Sequence, residues 1–145
     1  MTNLIRLFTI LILFGSCNNK IETASTLTKQ DFDCFHSLSL LDTNEHLYKF
    51  YSEFKKSVAG NFYTDKRLAK YWLDEHDKSK NQIEFAYYTD IAKIDTVFYA
   101  GATYCPYMLV TRTDSTTFKV CVDGTKQEIS DFFNDAISKW RQNRK

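Results

Sequence analysis

The clearest pattern of apolar and polar positions lies near the C-terminus. Ile129, Phe132, Phe133, Ala136, Ile137 and Trp140 follow spacings of 3, 4, 7, 8 and 11, which lines one face of a helix. Thr125 with Glu128 makes a capping box, and Asp123-Gly124 turns the chain into it. Lys139, Arg141, Arg144 and Lys145 fall near its end, where the helix dipole favours cations. Further upstream, Leu47, Phe50, Tyr51, Phe54 and Val58 are spaced by 3, 4, 7 and 11. That spacing predicts a helix over 44–58, with Asp42 and Glu45 as its capping box and Gly60 as its stop. A second helix is expected over 64–76, with Thr64 as cap and Leu68, Tyr71 and Trp72 on its inner side. The polar run 74–82 ends it.

Strand chemistry follows. Residues 83–88 and 94–100 are rich in β-branched and aromatic side chains. Residues 107–113 and 116–122 read as a hairpin turning at Asp114-Ser115. In that register Phe118, Val120 and Val122 face Thr111, Leu109 and Tyr107, which groups apolar residues on one face. Arg112, Thr117 and Lys119 occupy the wetter face. Helices separated from a run of strands indicate α+β. The expected fold is an antiparallel sheet of about four strands packed with two N-terminal helices and one C-terminal helix. In outline only, that element order is similar to the cystatin-like and NTF2-like classes.

The 145 residues suit one domain. With 43% hydrophobic and 16% aromatic residues, a packed core is expected rather than disorder. The formal charge of +1 argues against a nucleic-acid partner.

The N-terminus is an address. Arg6 precedes an apolar stretch, Leu7 to Phe14, that is too short to span a bilayer as a helix. Phe14-Gly15-Ser16-Cys17 closes it, followed at once by polar Asn18, Asn19 and Lys20. This segment resembles the signal and lipobox of bacterial lipoproteins. The resemblance implies cleavage after Ser16 and acylation of Cys17, which would hold the protein in the cell envelope, at the outer membrane. Arg6 is the only charged residue of 1–17, so 18 positive and 18 negative side chains remain beyond it. Residues 18–30 lack apolar periodicity and read as a flexible tether, with the single domain running over 31–145.

Candidate chemistry is sparse. Cys105-Pro106-Tyr107 matches the start of the glutaredoxin Cys-Pro-Tyr-Cys motif. Met108 replaces its second cysteine, and the context is a strand where that family uses a helix N-terminus. The expected hairpin register sets Cys121 opposite Met108, roughly 10 Å along the strand from Cys105 at about 3.3 Å per residue. A Cys105–Cys121 bridge is therefore disfavoured unless Pro106 makes a bulge. Cys34 with either partner, or unpaired buried thiols, stay open. His36, His46 and His76 show no ligand spacing, and no Gly-x-Ser-x-Gly or glycine-rich phosphate loop is present. No catalytic, metal or cofactor site is expected. Asp74, Glu84, Asp90 and Asp95 read as solvated carboxylates.

Tyr87, Tyr88, Tyr99, Tyr104 and Tyr107 gather in or beside the strands. Alternation sends Tyr87 and Tyr88 to opposite faces, so some of these rings lie outside the core, where tyrosine favours recognition. The expectation is a membrane-anchored, non-enzymatic binding domain, serving as an accessory subunit or as an inhibitor of immunity type. The alternative is a carrier of a small apolar or aromatic ligand in a pocket between sheet and helices.

Overall fold

The computed structural model describes residues 20–145. The lipobox and Cys17 lie outside them. Two antiparallel sheets form the body. The larger has five strands in sequential order: β1 (Glu22–Thr23), β2 (Leu47–Tyr51), β3 (Ala59–Thr64), β4 (Arg67–Trp72) and β5 (Gln82–Tyr87). The smaller has β6 (Ile91–Val97), β7 (Tyr107–Arg112) and β8 (Thr117–Cys121). Helix α1 (Lys29–Ser37) follows β1, and helix α2 (Lys126–Asn143) closes the chain. A short 3-10 turn, Tyr88–Asp90, carries the chain between sheets. The class is α+β, with two sheets where one of about four strands was expected.

The two expected N-terminal helices are strands. Residues 44–58 hold β2 and the turn after it, and 64–76 hold the end of β3 and all of β4. Helical spacing arose there because the middle of the larger sheet, β3 with most of β4, is buried on both faces. Every residue of β3 is buried, so the alternation that marks a half-exposed strand is missing. A register shift between Leu47 and Lys49 breaks the period of β2 as well. Gly60 is no helix stop. It sits in β3 opposite Tyr71, and an added Cβ would lie 2.5 Å from ring atoms of Phe50 and Tyr71. His46 consequently precedes a strand, and His76 lies in the β4–β5 connection.

The outer face of the larger sheet is covered by the N-terminal segment. Thr28 and Asp31 make a reciprocal capping box that starts α1. Phe35 then stacks on Phe50 and Phe62, each at 5.2 Å between ring centroids. Leu40, Leu41, Leu47 and Tyr71 complete this second core. The stretch expected as a tether therefore holds β1 and the first two residues of α1, and the folded body begins before Asp31.

The main core lies between the sheets and α2. Tyr63 meets Phe132 edge to face at 5.1 Å, and Trp140 donates its indole N–H to the Ile91 carbonyl at 3.3 Å. The capping box of Thr125 and Glu128 is present as the sequence indicates. Arg112, on β7, donates from Nε and Nη2 to the Phe85 carbonyl on β5, which ties the two sheets at one corner.

The β7–β8 register differs by one residue from expectation. Met108 pairs with Val120 and Val110 with Phe118. The turn spans three residues, 113–115, because Ser115 adopts a left-handed conformation (φ 70°) and Arg112 pairs with Thr116. Cys121 is thereby opposite Tyr107, and Cys105 reaches it. The two form a disulfide with Cα atoms 5.8 Å apart, within ordinary bridging range. The bridge that the expected register disfavoured is thus present, and Cys34 is the free thiol.

Candidate functional site

A groove runs along the corner where β8 approaches β3 and β4. One part, about 510 Å³, is lined by Tyr51, Glu53, the 102–106 segment, Cys121 and Asp123. It continues into a part of about 220 Å³ lined by Asn61, Lys70, Trp72, Gln82 and Lys119. Glu53, Tyr104 and Cys121 border both.

Asn61 organises the floor. It is buried in β3, so its amide must be satisfied internally. Its Oδ1 accepts the backbone N–H of Cys121 at 2.9 Å, and its Nδ2 donates to Glu53 at 2.8 Å. One side chain thus joins the two sheets and orients the groove carboxyl. Partial burial pushes the Glu53 pKa upward, although its own backbone N–H, Lys70 and Asn61 each pull it down. A carboxyl so placed can both accept and, when protonated, donate a hydrogen bond.

The disulfide fixes one wall. It anchors Cys105, at the end of the long β6–β7 loop, to the last residue of β8. Tyr104 and Tyr107 meet edge to face at 5.7 Å. The Lys119 ammonium lies 4.6 and 4.5 Å from their ring centroids, a cation–π arrangement that holds both rings in place. On the opposite wall Lys70 contacts Gln82 at 3.1 Å and Glu84 at 3.3 Å. Trp72 is partly exposed and lies against Phe54 at 6.4 Å.

The five tyrosines do not form one patch. Tyr104 and Tyr107 stand together at the groove. Tyr99 is 82% exposed on the same loop. Tyr87 meets Phe85 edge to face and lies 4.5 Å from the Arg67 guanidinium, away from the groove lining. Tyr88 is buried and donates its hydroxyl to the Thr64 carbonyl at 2.6 Å. Burial drives its pKa well above the ordinary phenol value. Tyr88 therefore packs as a core residue, away from the groove, and with Tyr87 it borders a separate cavity of about 290 Å³.

Glu53, Asn61, Lys70, Trp72, Gln82 and Lys119 were not picked out as site residues. Trp72 was expected on the inner side of a helix, and only the strand assignment brings it to the surface. No local motif marks the others, which converge from five separate segments. Among the described residues no group of three or more His, Cys, Asp or Glu side chains is gathered to hold a metal ion. Nor is any described helix long and apolar enough to cross a membrane.

No family model matches the chain. No curated protein matches it either. Its fold is similar to the crystal structure of a DUF1696 family protein with a pleckstrin-homology domain from Shewanella loihica PV-4. The TM-score is 0.51 at 11% sequence identity, covering 79% of this chain and 92% of that one. At that identity the likeness is one of fold.

Proposed function

We propose that this protein is an exported, lipid-anchored binding domain without catalytic activity. Cys17 carries the anchor, and the groove receives a partner, either as an accessory subunit or as an inhibitor of immunity type. The groove's composition carries the reading. Trp72 and Tyr104 stand exposed beside side chains already held in place, the mix of aromatic area and fixed polar groups that recognition surfaces use. Each ionisable group in it has a structural tie. Glu53 is bound by Asn61, Lys70 contacts Glu84, Lys119 rests on two rings, and Asp123 accepts the Gly124 N–H.

A carrier of apolar ligands between sheet and helix fits less well. Tyr63, Met108, Val110, Phe118, Phe132 and Phe133 fill the space beneath α2, and the cavity of about 340 Å³ at its edge is lined mostly by polar side chains, Lys49, Asp135, Ser138, Lys139 and Gln142.

The test is in-cell cross-linking of the full, C-terminally tagged chain in its own host. The reading expects a cross-linked species with the wild type that is lost in a Trp72→Ala/Tyr104→Ala variant of unchanged melting temperature. A species retained in that variant would place binding elsewhere.

A further inference from the structure

The exposed apolar residues are not scattered. Phe54, Trp72, Ile83, Phe98, Tyr99 and Tyr104 are the large hydrophobic side chains left exposed among the described residues. All six belong to one end of the body. Phe54 lies between β2 and β3, Trp72 and Ile83 flank the β4–β5 connection, and the other three lie between β6 and β7. The groove lining joins these segments in space, since Tyr51 and Glu53 border the same cavity as residues 102–106.

The chain enters at that same end. Glu22 pairs with Phe50 and Thr23 with Lys49 in an antiparallel ladder. Continuing the ladder backwards carries Ile21 and Lys20 past Tyr51 toward Ser52, the root of the turn that bears Phe54. Cys17 is three residues before Lys20, a span of at most ~11 Å.

From this we infer that the aromatic end of the domain rests on the bilayer surface, with Phe54, Phe98 and Tyr99 in the headgroup layer. The inference depends on the lipid anchor proposed at Cys17 and adds the orientation. Residues 96–111 carry no charged side chain, so the β6–β7 loop enters the interface without burying an ion. Tyrosine and tryptophan favour that boundary, and an interfacial element sinks about 5–10 Å into it. Lys55 is paired with Glu75 and Lys56 with Glu22 and Asp31, so the contact rests on apolar area rather than on these charges. Trp72 and Tyr104 border the groove, which places the groove at the lipid–water boundary, where its partner is met.

The test uses the acylated full-length product reconstituted in phosphatidylcholine vesicles, with lipids brominated at shallow or deep acyl positions. Tyr99→Trp is compared with Tyr99, both in a Trp72→Phe background, so that the buried Trp140 is the remaining tryptophan and serves as internal reference. The expected result is an added emission component, blue-shifted and quenched more by shallow than by deep bromines. An added component with the emission of exposed tryptophan and no quenching, in protein that floats with the vesicles, would overturn the orientation and leave the anchor standing. A mature mass lacking acyl groups on Cys17 would remove the anchor reading and this inference with it. A tip blocked by dimerisation, seen as a concentration-dependent mass in sedimentation, would also overturn it.

Discussion

Asn61 of β3 accepts the backbone N–H of Cys121 of β8 at 2.9 Å, and the same amide donates to Glu53. The bond crosses from one sheet to the other beneath the groove, at the point where the disulfide also ends. Asn61→Ala leaves a buried N–H without a partner. The expected loss is about 1–3 kcal/mol of stability, read as a lower urea midpoint with unchanged slope.

Glu53 gives the pH dependence. Its folded-state pKa lies above its ordinary value of 4.5, so the folded state holds this proton more tightly than the unfolded chain. Its contribution to stability therefore falls as pH rises from about that value through the raised one. Glu53→Gln should flatten this part of the curve. The variant should gain on the wild type as pH rises toward neutrality, and the gain should vanish below the ordinary value. Melting temperatures across pH 3–8 measure it.

Arg67 and Glu45 form a second decisive pair. Arg67 is buried and binds Glu45 through Nε at 2.9 Å and Nη2 at 2.6 Å. Its guanidinium also lies against the Phe85 and Tyr87 rings and contacts Asp42. Removing Glu45 strands a buried charge, with only partial help from half-exposed Asp42. Glu45→Ala should cost about 3 kcal/mol by chemical denaturation. Arg67→Lys should not be neutral, because a single ammonium cannot reproduce the fork.

Tyr88 separates packing from binding. Tyr88→Ala removes a buried ring and should cost about 3–5 kcal/mol. Tyr88→Phe, which loses only the bond to Thr64, should cost about 1 kcal/mol. Tyr99→Ala should leave the melting temperature unchanged, since that ring is exposed.

The disulfide is checked by labelling. Alkylation of the denatured, unreduced protein should modify Cys34 alone among Cys34, Cys105 and Cys121, and reduction should expose all three. The bridge spans 16 positions, a loop length worth about 3 kcal/mol in the chain-entropy account. Reduction should lower the melting temperature accordingly.

Much of the C-terminal half was legible in the sequence. The capping box and apolar stripe of α2 are local, and the strand composition around β5 to β8 is strong. The β7–β8 register was missed by one residue because Ser115 takes a left-handed conformation that serine adopts infrequently. That single step decided whether Cys105 could reach Cys121. The N-terminal half was misread because α1 and its loop cover the outer face of the larger sheet. Strands buried on both sides lose their alternation, and Phe50, Tyr51 and Phe54 then mimic a helix. The polar groove residues could not be found from spacing, since Glu53, Asn61, Lys70 and Lys119 meet only after both sheets form.

The most direct measurement of the central claim is a native mass spectrum of the full chain, C-terminally tagged, expressed in its own host and gently extracted. Lys145 follows the far end of α2, so the tag stays clear of the groove. The account predicts a mature mass beginning at acylated Cys17, with a bound partner that Trp72→Ala/Tyr104→Ala releases. An unacylated mass, or a partner retained undiminished by that variant, would contradict it.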